Sequence, residues 1–185
     1  MPMTSAERDF AARQLLESRD KLLRLVRGLS VAQLAHKPAP ERWSVGENLE
    51  HVILVEARGR GFVEIALNQP PEAGRRSGFP GSAESLIAML RDRSHPRTGP
   101  EQIQPKGRWP LDRLASDFEA ARKQTCELLE KTTADLHEHF SPHPIFGELD
   151  CFQWLLVLSA HSDRHRAQSE EVIASEEFPR AAAAG

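Results

Sequence analysis

Eight histidines are spread through this 185-residue chain, and two pairs of them have the H-x-x-x-H spacing able to hold a metal ion. The pairs are not equivalent. His139 and His143 are interrupted by Pro142 and followed by Pro144, which deny them a common helix face. His161 and His165 instead lie in a stripe read at steps of four and three: Trp154, Leu158, His161, His165, Gln168 and Val172. On a helix that spacing puts both imidazoles on one face, within reach of a single ion. Buried imidazoles are costly unless paired or ligating. The alternative is a pair of surface histidines on a helix drifting away from its core, with Arg164 and Arg166 pointing elsewhere. His51 is the candidate third ligand, between Asn48 and Val55 and beside an inward Val52. Taken alone, it reads equally well as a boundary histidine bonded to a carbonyl.

Several chemistries are excluded. Ser162 follows His161, so there is no H-E-x-x-H with a built-in protease base. No histidine has a glutamate three residues before it, which removes the ligand motif of di-iron bundles. Neither a phosphate-binding G-x-x-x-x-G-K-[ST] nor a G-x-S-x-G nucleophile turn occurs. Cys126 and Cys151 lie too far along their helices to join the histidines.

Helices must position these residues. The first is expected over residues 5–29, with Phe10, Leu15, Leu16, Leu22, Leu23, Leu25, Val26 and Leu29 as its apolar face and Thr4/Glu7 as a capping box. The second is expected over 44–68, opened by a Ser44/Glu47 box and burying Val45, Leu49, Val52, Ile53, Val63 and Leu67. Pro110 suits the first position of the third, which runs through Leu111, Leu114, Phe118, Thr125, Leu128 and Leu129. The fourth spans about 150–175. Seven of the 13 prolines fall between Pro70 and Pro110, so residues 69–109 read as a long crossover loop, with room for a short helix at 85–93. Its arginines, Arg75, Arg76, Arg91, Arg93 and Arg97, read first as a solvated lid and second as anion contacts. Strand signals are nearly absent, so essentially no sheet is expected. The fold class predicted is an all-α four-helix bundle, one domain over 1–175 with a frayed tail at 176–185.

Composition sets further bounds. With 39% hydrophobic residues, 28% charged and a net charge of −3, the chain can build a core and carries no basic face for nucleic acid. The longest apolar run, near 154–158, is far short of a membrane span, and the N-terminal segment lacks the apolar core of a signal peptide. The two cysteines read as buried thiols in a reducing compartment, so a cytoplasmic location is expected.

A resemblance adds to this. Lys37-Pro38, then Trp43-Ser44 with His51 seven residues on, is similar to the second-helix signature of the DinB/YfiT-like four-helix proteins. Pro105-x-Gly107, His143-Pro144, Phe146-Gly147, Trp154-Leu155 and His161-x-x-Arg164-His165-x-x-Gln168 continue it, so that it covers residues 6–173. The resemblance implies an up-down-down-up bundle with a divalent ion, nickel or zinc, held by His51, His161 and His165. It implies a homodimer as well, for which Phe62 and Leu67 offer apolar surface. Relatives act as thiol-dependent transferases or isomerases, and others are described as metal-dependent hydrolases. A three-imidazole site keeps open coordination positions, as catalytic sites do. The expected function is therefore metal-dependent S-transfer with a low-molecular-weight thiol as co-substrate, or hydrolysis of a small molecule. The alternative is a metal-binding or dimerising module with a structural or sensing role. Asn48 and Gln168, and after them Asp163 and Glu47, are candidates to support the ligands, and no general base is assigned.

Overall fold

Capping chemistry sets where the long helices begin. A computed structural model describes residues 2–94 and 99–180. Helix α1 (Ser5–Val26) starts from the Thr4/Glu7 box, and two residues after its end Gly28 takes a φ of +90° that closes it earlier than the predicted 29. A five-residue helix α2 (Val31–Ala35), with its own Ser30/Gln33 box, lies between the first two long helices. Helix α3 (Val45–Leu67) is opened by Ser44 and Glu47 as expected. The crossover contains α4 (Ala83–Arg91), close to the anticipated short helix but capped by Ser82. Pro110 precedes a single 3-10 turn, Leu111–Arg113, before α5 (Leu114–Lys131). Asp150 and Gln153 form the box that opens α6 (Cys151–Ile173).

Helix directions follow from which ends meet. Arg8 near the start of α1 donates to the Leu129 carbonyl at the end of α5, and Arg27 pairs with Glu119, so α1 and α5 are antiparallel. Gly46 approaches Leu114 and Arg60 reaches the Ala121 carbonyl, so α3 and α5 run parallel. Asn48 meets His165 while Phe62 meets Trp154, which makes α6 antiparallel to α3. The bundle is therefore up-down-down-up.

The core sits around α6, whose first ten residues, from Cys151 through Ala160, are all buried. Leu15, Val63, Leu86, Leu129, Leu149 and Leu155 form one apolar cluster, and Leu22, Val45, Leu49, Val52 and Phe118 a second nearer the crossover end. Helix α4 covers the side of α6 turned from α3: Arg164 is buried there, donating to the Leu90 and Asp92 carbonyls. Gly59 allows α3 to approach α6 closely, since a Cβ there would come within 2.7 Å of Leu158. Of the predicted inward residues, Leu16 is turned outward.

The expectation of essentially no sheet has one small exception among the described residues. Residues Phe140–His143 and Gly147–Asp150 form an antiparallel hairpin, β1 and β2, pairing Phe140 with Asp150 and His143 with Gly147. Its turn lacks the usual Asn-Gly signal. The His143 ring instead accepts the N–H groups of Ile145 and Phe146, and Gly147 supplies a φ of +71°. His143 thus ends β1 while His139 lies just before it, bonded to the Ala66 carbonyl at 3.0 Å, so the two share no helix face, as the prolines predict. Beyond α6, Phe178 is buried, its ring edge-on to His36 at 5.6 Å. The remainder of the tail, 181–185, lies outside the described residues, as do His95 and Arg97. No helix among the described residues is long and apolar enough to cross a membrane.

Candidate metal centre

The antiparallel packing of α3 on α6 brings His51 against the His161/His165 pair. One ring nitrogen from each of the three lies within 4.8 Å of the others, and no carboxylate or thiol among the described residues joins them. Ring centroids are 5.0 Å apart for His51 and His161, 4.5 Å for His51 and His165, and 4.4 Å for His161 and His165. His51 and His165 are buried, while His161 keeps some exposure.

Outer contacts fix which nitrogen faces inward. His51 Nδ1–H donates to the Ile103 carbonyl at 2.6 Å. His165 Nδ1–H donates to Asn48 Oδ1 at 2.9 Å, and Asn48 in turn donates its amide to the Ser44 carbonyl at 2.9 Å, which sets the amide's orientation. With the Nδ1 atoms occupied, both rings present Nε2 as the free lone pair, the arrangement that orients histidine ligands in metal proteins. The Nε2 atoms of His51 and His161 face each other at 3.2 Å; with His51 protonated on Nδ1, its Nε2 is the acceptor of that contact. The Trp43 ring closes one side, stacked on His165 at 5.9 Å and 4.9 Å from His51.

Burial keeps these rings neutral. Desolvation holds His161 and His165 well below the usual histidine pKa, reinforced by His51 and Arg164 around His161 and by His161 and His51 around His165. His51 is lowered by the same cause, against the opposing pull of the Ile103 carbonyl. Neutral imidazole is the form that binds a divalent ion. The donor set therefore fits one.

Other expected residues are placed elsewhere. Glu47 caps α3 and pairs with Lys37, and Asp163 pairs with Arg91. Gln168 Oε1 is buried with no hydrogen-bond partner among the described residues. Of the crossover arginines, Arg75 pairs with Glu72 and Glu148, Arg91 with Asp163 and Arg93 with Glu171, so these cations are engaged by the fold's own carboxylates. Cys151 is buried at the start of α6, where desolvation pushes its thiol up to about 12.

The sequence profile of the DinB superfamily matches residues 14–169, a span that includes all three histidines. The chain belongs to the DinB superfamily. It is 24% identical over 148 residues to the uncharacterized protein YuaE of Bacillus subtilis (strain 168), covering 80% of this chain and 87% of that one. Among solved structures, YfiT from Bacillus subtilis, described as a probable metal-dependent hydrolase with an unusual four-helix bundle topology, aligns with a TM-score of 0.60 and 16% identity. That alignment covers 92% of this chain and 88% of YfiT. The four-helix bundle protein TT2238 aligns with a TM-score of 0.58 and 21% identity, over 89% of this chain and 98% of its own. These structural likenesses establish the fold.

This DinB bundle also holds residues that sequence reading missed. Ile103 contributes only a main-chain carbonyl, which has no sequence signature. Glu50, 3% exposed, accepts the N–H groups of Lys106, Gly107 and Arg108 together with the Arg108 guanidinium. Burial raises its carboxyl, but those donors outweigh it and the pKa falls below the ordinary value. The Pro105-x-Gly107 run was the available signal, and it marks the segment that Glu50 grips.

Proposed function

We propose that His51, His161 and His165 hold a divalent ion, nickel or zinc, and that the site serves metal-dependent transfer of a low-molecular-weight thiol to a small electrophile. The carrying observation is the cluster itself: three buried or half-buried imidazoles from two helices, two with Nδ1 engaged outward and Nε2 left free. When bound, a divalent ion in such a site supplies Lewis acidity, which favours a thiol as thiolate near neutral pH. The chain's part is to orient the ligands through Ile103 and Asn48, to wall the site with Trp43, and to leave His161 accessible. Glu47, Glu50 and Asp163 are each committed to other partners, so none of them serves as a general base and the nucleophile would be one the ion itself activates. A divalent ion would supply it as thiolate or as hydroxide from bound water, and a thiol titration separates the two.

The test is titration of zinc and then nickel into metal-stripped protein by calorimetry, followed by a small thiol titrated into the cobalt-substituted form. A single-site isotherm and a new sulfur-to-cobalt absorption band are expected. Metal binding without the band, whatever the thiol, removes the transferase reading and leaves hydrolysis or a non-catalytic metal role. Homodimerisation is part of the same proposal, with Ile65, 63% exposed, and half-buried Phe62 on one side of α3. Sedimentation giving a monomer at micromolar concentration contradicts it.

A further inference from the structure

The segment from Gly99 to Arg108 is a strap laid across the histidine end of α3, and it is fastened at two neighbouring residues of that helix. Its middle meets His51, through the Ile103 carbonyl. Its far end is gripped by Glu50: Oε1 accepts the Lys106 N–H at 2.9 Å, the Arg108 N–H at 3.3 Å and Arg108 Nη1 at 2.9 Å, while Oε2 accepts the Gly107 N–H at 2.8 Å. Gly107, with a φ of +69°, lets three successive N–H groups turn onto one carboxylate. Within the strap, Gln104 Nε2 donates to the Gly99 carbonyl at 2.7 Å and Arg108 Nη1 to the Gln104 carbonyl at 2.7 Å, so the segment is braced within itself.

Residues 106–108 are themselves exposed and bring no apolar side chain to the core. Glu50 is therefore their main attachment. A carboxylate 3% exposed is expensive to bury unless it is fully engaged, and the hydrogen bonds this one accepts among the described residues all come from the strap. Only Gln104 and Pro105 lie between Ile103 and the gripped Lys106, so the position of the carbonyl that receives the His51 hydrogen bond depends on the grip.

We infer that Glu50 is a positioning residue of the histidine site, holding the strap so that the Ile103 carbonyl keeps His51 in the Nδ1–H tautomer with Nε2 turned to its partners. Glu50 touches none of the three rings' inward nitrogens; it acts through the backbone. The consequence for metal affinity rests on the metal-site reading above, but the consequence for the tautomer does not.

The test compares wild type with Glu50→Gln, which keeps the side chain's size but sets an amide N–H against the strap's own donors. Long-range proton–nitrogen correlation on the metal-free, nitrogen-15-labelled protein reads the tautomer of each histidine, and zinc titration reads affinity. In wild type, His51 and His165 both give the Nδ1–H pattern. In Glu50→Gln, His51 becomes a mixture of tautomers while His165, held by Asn48, is unchanged, and zinc affinity falls ~10–100-fold, the cost typical of losing a ligand's supporting hydrogen bond. Glu101→Gln, which breaks only the exposed pair with Lys106 on the same strap, leaves both readouts at wild-type values. A folded Glu50→Gln with an unchanged His51 pattern overturns the inference, as does an equal change at His165. If Glu50→Gln does not fold, the decision passes to Arg108→Ala, which removes one half-exposed contact of the grip, and an unchanged His51 pattern there overturns it. A wild type that binds no zinc defeats the metal reading while the tautomer comparison still decides this one.

Discussion

Two groups of polar side chains are enclosed by this bundle, one where all four long helices meet and one between α3 and α6, and they are satisfied in opposite ways. Around Arg122, 0% exposed, every direction is closed. Its guanidinium makes a two-pronged pair with Glu56 at 2.8 Å on both arms, and it donates further to the Leu15 and Leu158 carbonyls and to Ser18 and Ser162. Thr125 donates to the Glu56 carboxylate at 2.6 Å. All four long helices thus meet at one ion pair. At the histidine cluster the outward nitrogens of His51 and His165 are held by protein oxygens, while the inward Nε2 of His51 meets only another imidazole, His161, at 3.2 Å. A closed network fixes helix register; a network closed on its outer side alone is pre-formed for something absent from the chain itself.

The largest expected effect separates the two. Arg122→Ala leaves Glu56 as an uncompensated buried charge and should destabilise the fold by ~3–5 kcal/mol, read by urea denaturation. Replacing both partners by apolar residues of similar volume should restore most of that stability. His161→Ala behaves in the reverse manner: it should change the stability of the metal-free protein by about 1 kcal/mol or less yet abolish tight zinc or nickel binding, because it removes one of three ligands but orphans no outer partner. If Arg122→Ala proved mild and His161→Ala unfolded the protein, the division of labour would be wrong.

A pH series sharpens the comparison. Because burial holds His161 and His165 well below the ordinary histidine pKa, the unfolded chain binds protons below about pH 6.5 that the folded chain refuses, so metal-free stability should fall as pH drops through that range. Metal affinity should fall in the same window and be nearly flat above about pH 8. His137 works against this with the smallest effect. Its hydrogen bond to Asp150 at 3.0 Å, helped by the charges of Asp150, Glu7 and Asp135 against partial burial, raises its pKa. Its contribution is complete below about pH 6.5 and is lost as pH rises through the raised value. His137→Gln should therefore lower stability at pH 6 by less than ~1 kcal/mol and leave it unchanged at pH 9. An equal loss at both pH values would show that the contact does not depend on the proton.

Much of this was legible before any coordinates. Thr4/Glu7 and Ser44/Glu47 mark helix starts because capping boxes are local, and the step of four between His161 and His165 is local too. The position of His51 needed the family resemblance, since partnership across 110 residues leaves no spacing to read. Asn48 was expected beside the ligand on its own helix; it serves His165 across the interface instead, a consequence of the antiparallel packing. Arg122 and Glu56, 66 positions apart, each look like solvated helix residues, and only the fold makes them a pair. The hairpin escaped because its turn is built on the His143 side chain rather than on a turn dipeptide, and Ile103 because a carbonyl carries no residue identity.

The central claim is that histidines from two helices hold one divalent ion. Elemental analysis of untagged wild type and of His51→Ala, each loaded with zinc or nickel and then desalted, tests it most directly, since His51 is the proposed ligand that only the tertiary fold brings to the His161/His165 pair. The account predicts a full equivalent of metal in the wild type and close to none in His51→Ala, with both proteins equally folded by circular dichroism. A full equivalent retained by folded His51→Ala would contradict it.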